Sequence, residues 1–160
     1  MNSTRFHLRF FAPGVPQPGG SKKGFVVPGK DGGKPRAIIV EDAKRNKDWR
    51  ASVALAASKQ MEGRVPAGRV PLFLRITFVM PRPRGHYRTG RHSNELRPDA
   101  PAYHTSKPDL TKLTRSTEDA LTGIVWTDDS AIAVQELEKV YTSQDRPICG
   151  AEILVEEIEL

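Results

Sequence analysis

Proline and glycine, 13 of each in 160 residues, punctuate this chain and limit where a helix or a central strand can run. The stretch Pro13-Gly14-Val15-Pro16-Gln17-Pro18-Gly19-Gly20-Ser21-Lys22-Lys23-Gly24 is too rich in both to be either, and reads as a loop. Before it, Arg5 to Phe11 alternates polar and apolar residues as a half-buried strand does. After it, Phe25–Val27 and Ala37–Val40 flank Pro28-Gly29-Lys30-Asp31-Gly32-Gly33, which predicts a hairpin with a loose tip. Asp42 is a candidate cap for a helix to about Glu62, with Trp49, Val53, Ala56, Ala57 and Gln60 on one face and Gly63 as its stop. Val70 to Met80 reads as a strand with one buried face. A second helix opens at Pro108, carries Leu110, Leu113, Thr117, Ala120 and Leu121 at helical spacing, and stops at Gly123. Val134–Tyr141 and Ala151–Ile158 alternate as two closing strands around the Asp145-Arg146-Pro147 turn.

Between strand and second helix, residues 81–106 have no apolar period, and Arg82, Arg84, Arg88 and Arg91 make the segment basic. Structureless loops beyond about 12–15 residues are usually functional or disordered. The length suits one compact core over residues 1–160, large enough to need neither disulfides nor a structural metal. Cys149, the single cysteine, cannot form an internal disulfide. No run is long and apolar enough to span a membrane, and the N-terminus lacks the pattern of a signal peptide, so the cytoplasm is the expected compartment.

The charge is uneven. Residues 1–107 carry 21 basic and 7 acidic residues, a balance of +14, whereas residues 108–160 carry 4 and 12, a balance of −8. A basic majority suits a nucleic acid, whose phosphates attract Lys and Arg over long range. The acidic remainder would be solvated or would hold a cation that bridges protein and phosphate.

The candidate chemistry lies between Lys107 and Lys139. Lys107-Pro108-Asp109 leads into the second helix, Glu118-Asp119-Ala120-Leu121 lies near its end, and Trp126-Thr127-Asp128-Asp129-Ser130 follows. Magnesium favours a few carboxylates together with waters and phosphate oxygens. A helix from 109 to 122 is about 20 Å long, so only the tertiary fold could unite Asp109 with Asp128 and Asp129. The same residues would serve equally as a helix cap and an ordinary turn, places where Asp is favoured.

In order and spacing these segments resemble the RusA family of Holliday junction resolvases, whose pattern is KPD-x-D-N-L-x-K, a D-A-L helix and a D-D-[SA]-x-V turn. The resemblance covers about a third of the chain. It implies an α+β fold, a small mixed sheet with two main helices in a homodimer, and magnesium-dependent cleavage of DNA four-way junctions by paired nicks. The family is typical of bacteriophages and prophages, which implies the cytoplasm of a bacterial host cell. Asp109, Asp128 and Asp129 match the acidic cluster and would hold Mg2+, and Arg115 would add positive charge beside the scissile phosphate. The expected DNA contacts are Lys22 and Lys23, Arg82, Arg84, Arg88 and Arg91 of the basic loop, and Lys107 and Lys112.

Two departures from the pattern bear on the chemistry. Thr111 stands where the family commonly has its second Asp, and Arg115 where it has Lys. Thr keeps an oxygen but loses a charge; Arg grips phosphate with two donors but cannot give up its proton. Glu118, seven residues beyond Thr111 on nearly the same face, is either a replacement carboxylate or a solvated surface residue. The departures leave open a junction-binding protein of the same fold without cleavage, and more distantly a basic RNA-binding protein. Elsewhere, Gly29–Gly33 lacks a P-loop ending, His86, His92 and His104 fit no zinc spacing and read as solvated, and Trp49 and Trp126 read as filling core or interface space rather than stacking on bases.

Overall fold

The computed structural model describes residues 5–19, 22–41 and 44–159. Four strands form one mixed sheet in the order β1-β6-β4-β5: β1 (His7–Pro13), β4 (Leu72–Met80), β5 (Ile132–Tyr141) and β6 (Gly150–Glu157). β6 runs antiparallel to both β1 and β4, and β4 pairs with β5 in parallel. Strands β2 (Lys22–Val27) and β3 (Arg36–Glu41) make a separate antiparallel ribbon. Helices α1 (Lys44–Met61) and α2 (Leu110–Leu121) complete an α+β fold.

Strand alternation gives the sheet two different faces. Leu72, Leu74, Ile76, Phe78 and Met80 of β4 join Leu8 of β1 and Ile153 and Val155 of β6 in the core beneath the helices. The opposite face is polar: Arg75 binds Glu136, the Thr77 hydroxyl donates to Glu138 (2.8 Å), and Arg146 binds Glu152. From Ile76 onward every residue of β4 is buried, so this central strand is covered on both faces along its second half, not on one.

On the helical side Trp49, Val53, Ala57 and Met61 of α1 reach the core, whereas Gln60 is exposed; Met61, one position on, fills the place expected of it. The expected cap Asp42 lies outside the described residues. Polar contacts lock the two helices together: the Trp49 indole donates to Thr117 (3.3 Å), and the Ser116 hydroxyl donates to Asn46 (2.9 Å). Asn46 in turn donates to the Pro18 carbonyl, and the Gly19 amide donates to Lys112 O (2.9 Å). A Cβ on Gly19 would sit 3.1 Å from that of Ser116, so this glycine lets the Pro-rich segment lie against α2.

Two expectations are corrected here. Lys22 and Lys23 belong to strand β2 rather than to a loop, paired with Glu41 and Val40, because ribbon pairing is satisfied by backbone groups and does not need an apolar pattern. Residues 81–106 are not structureless. Arg88 N donates to Glu95 O and Arg97 N to His86 O, both at 2.8 Å, and Tyr103 bridges Val140, so the segment folds on itself and covers part of the outer edge of β5.

Candidate nuclease site

Parallel pairing of β4 and β5 obliges the intervening chain to return to the starting end of the sheet, and α2 makes that return. The N-terminus of α2 therefore lies at the carboxyl end of β4 and its C-terminus near the amino end. Asp109 caps α2 by position, without a side-chain capping hydrogen bond, and lines a groove with Met80, Pro81, His104, Lys107 and Lys112. Asp128 lines a depression with Gly68, Arg69, Val70 and Pro71, before the start of β4. Nine residues of β4 separate those neighbourhoods, about 26 Å at 3.3 Å per residue. One chain thus keeps Asp109 apart from Asp128, while Asp129 lies by Glu118, about 14 Å along α2 from Asp109. Among the described residues no group of three or more His, Cys, Asp or Glu side chains could hold a metal ion, so the carboxylates of a single chain do not fit a magnesium site by themselves.

Asp128 and Asp129 are nevertheless built into a defined turn. The Trp126 indole, fully buried, donates to the Thr122 hydroxyl (3.1 Å). Ala67 N donates to Val125 O (2.8 Å) and Thr127 N to Ala67 O (3.0 Å) on either side of it, which fastens the turn to the segment before β4. Beyond it, Asp128 Oδ1 accepts from Ser130 N (2.8 Å). Hydrogen bonds from Ser130 stabilise the Asp128 carboxylate and hold its pKa below the ordinary value, with Arg69 adding a smaller attraction.

Glu118 is half-buried rather than simply solvated, and accepts a hydrogen bond from Gln135 of β5. Burial first and the Asp129 charge second push its pKa up, against the Gln135 hydrogen bond. Thr111, Arg115 and Glu118 fall outside the buried stripe of α2, and Thr111 and Arg115 are exposed. They form an i, i+4, i+7 row on its outer face. Lys112 lies 3.5 Å from the Asp109 carboxylate.

The basic residues divide into two kinds. Arg84, Arg88 and Arg91 are exposed; Arg84 and Arg88 line one concave surface, and Arg88 pairs with Glu95. Arg82 instead holds the loop together. Its guanidinium donates to Thr142 O (2.8 Å) and Pro101 O (2.7 Å) and lies 5.0 Å above the Tyr141 ring. Histidines 86 and 104 pack on the same ring at 4.9 and 4.8 Å, so both are half-buried packing residues rather than solvated ones. His92 is exposed beside Glu95.

One residue of the site was legible in the strand alternation but was not singled out. Lys139 shares the inward-facing row of β5 with Leu137 and Tyr141, a place for an apolar side chain. Its ammonium donates to Ser106 O (2.7 Å) and Pro108 O (2.6 Å), and so fixes the backbone that delivers Asp109. Burial lowers its pKa, with Asp109 opposing. Lys139→Met keeps the stem but strands two carbonyls; a loss of about 2 kcal/mol is expected for charged hydrogen bonds of this kind. Urea unfolding measures it, and an unmoved midpoint would mean that water satisfies those carbonyls equally well.

The family of endodeoxyribonuclease RusA matches residues 28–153. A Bacillus subtilis (strain 168) protein named Uncharacterized protein YqaN is 24% identical over 154 residues, which span 94% of this chain and 96% of the relative. Because the family match runs from the tip of the ribbon through both helices into β6, and takes in α2 with the segments at its two ends, this chain belongs to the endodeoxyribonuclease RusA family.

Proposed function

We propose that the protein is a structure-selective endodeoxyribonuclease that resolves DNA four-way junctions by paired nicks, with magnesium as its cofactor and as a homodimer. The observation that carries the reading is the pairing of the family match with three exposed carboxylates, Asp109, Asp128 and Asp129, at the two ends of α2. Their separation gives the dimer a specific reason. A two-fold axis that sets the Asp109 end of one copy against the Asp128–Asp129 end of the other would create two equivalent sites, one for each of two strands in a junction of approximate two-fold symmetry. Arg115 and Lys112 would lie along the outer face of α2 to meet phosphate, while Lys22, Lys23, Arg84, Arg88, Arg91 and Lys107 would hold the DNA arms without reading sequence. Arg82 is left out of that set, since its donors are taken by carbonyl oxygens.

Thr111 favours a second reading, a junction binder without cleavage, because it lacks the charge of a carboxylate. A synthetic four-way junction incubated with and without magnesium separates the two. Paired symmetric nicks that disappear on chelation are expected; binding without any nick at every magnesium concentration would leave the second reading standing. No helix of the described residues is long and apolar enough to cross a membrane.

A further inference from the structure

Among the described residues, the ribbon formed by β2 and β3 is joined to no strand of the main sheet. Six residues per strand give it a reach of about 20 Å. Its tip is closed tightly: a Cβ on Gly29 would lie 2.3 Å from Gly33 O, Gly32 has φ +80°, and Gly33 N donates to Lys30 O. The outer half is exposed through Lys30, Lys34 and Arg36, and Val26 and Val27 keep 74% and 42% of their surfaces in solvent. Two-stranded hairpins alone in water are marginally stable at best, and two valines on such a ribbon are apolar surface without a covering layer. By sequence, the ribbon over residues 22–41 holds five basic residues and two acidic ones.

We infer that the β2–β3 ribbon is a DNA-binding arm that enters a groove of one duplex arm of the substrate, with Lys30, Lys34 and Arg36 on the phosphates and Val26, on the face opposite Val27 and Arg36, against the groove. The inference rests on the DNA-cleaving reading and adds to it a separate element that grips duplex away from the carboxylates. Charge selects the partner, because a polyanion complements an extension in which cations outnumber carboxylates five to two. Shape agrees: strands about 4.8 Å apart make a ribbon that a major groove of about 12 Å admits. Val26 then faces the groove, while Val27 shares with Arg36 the face turned to the backbone. The competing occupant is the acidic part of a second copy of this chain.

The test uses the full-length protein, a four-way junction and a plain duplex of matching arm sequence, with binding measured across a salt series. The triple variant Lys30→Ala, Lys34→Ala, Arg36→Ala is expected to flatten the log–log salt slope by about 2.7 on both DNAs, at about 0.9 per lost phosphate contact. Val26→Ser with Val27→Ser is expected to weaken binding to both while leaving the slope in place. Sedimentation of both variants should match the parent. A triple variant with an unchanged slope, beside an Arg84→Ala, Arg88→Ala, Arg91→Ala protein whose slope does fall, overturns the ribbon's role while the DNA-binding reading survives. Altered self-association in either ribbon variant overturns it in favour of a subunit contact. A parent protein that binds neither DNA overturns both this inference and the nuclease reading.

Discussion

Replacing Asp109, Asp128 or Asp129 singly by Asn is expected to reduce junction cleavage by more than about a hundredfold while leaving junction binding intact or tighter. Residues that merely orient metal ligands are worth about 10–100-fold, and a lost ligand costs more. The amide keeps the carboxylate's shape, removes the anion that a magnesium ion needs, and relieves repulsion between protein and phosphate. Asn caps helices and makes turns about as well as Asp, so residues with only those roles would retain activity. The opposed positions of Asp109 and the Asp128–Asp129 turn add a sharper measurement. For the proposed dimer, co-expression of an Asp109→Asn chain with an Asp128→Asn, Asp129→Asn chain would yield mixed dimers. With sites shared between subunits, each mixed dimer has one fully substituted site and one intact site, so nicking returns, one strand at a time. Self-contained sites would leave every mixed dimer inactive, and that outcome would remove the shared site from the proposal. Thr111→Asp is the companion variant: Thr111 is exposed one turn before Arg115, and an added carboxylate there should raise the apparent affinity for magnesium if the row faces the assembled site.

The two helices and the last strand, β6, were legible because their burial follows a local period. Leu113, Thr117 and Leu121 mark one face of α2, and Ile153 and Val155 one face of β6, whatever the rest of the chain does. The motifs at the ends of α2 were legible for a different reason, since their residues are continuous in sequence. Illegible was what depends on long-range pairing. Strand β2 extends back to Lys22 because Glu41 and Val40 are available to pair with it, and no composition rule carries that information. Residues 81–106 acquire order from Arg82 binding carbonyls at Pro101 and Thr142 and from Tyr103 joining β5, contacts that span up to 60 positions. The length of the motif helix shows that only the tertiary fold can unite the carboxylates, but not whether it does so within one chain. Only the parallel register of β4 with β5 fixes which end of the sheet each one reaches. Glu118 shows the same limit: its position on α2 was readable, but its burial against Gln135 and the Asp129 charge comes from the packing of β5 and the following turn.

The largest loss of stability tied to the site is expected from Trp126→Ala. The Trp126 side chain is fully buried among core residues, and removing an aromatic side chain from such a place costs about 3–5 kcal/mol. At about 2–4 °C per kcal/mol for a domain of this size, the melting temperature should fall by roughly 6–20 °C. Trp126→Phe separates volume from hydrogen bonding: it retains most of the packing, forfeits the bond to the Thr122 hydroxyl, and should cost far less than the alanine variant. The functional consequence follows from what the residue joins. Its neighbours Val125 and Thr127 bond to Ala67 on either side, and Gly123 N donates to Trp126 O (2.7 Å), so the indole anchors the exit from α2 at the point where the chain turns to present Asp128 and Asp129. With the cavity in place, that turn loses its anchor while the exposed basic residues of the 81–106 segment keep theirs. Below its own melting temperature the alanine variant should therefore bind junction DNA nearly as the parent does and cut it far more slowly. Equal losses of binding and cleavage would instead mean that the whole fold, and not the acidic turn alone, depends on this indole.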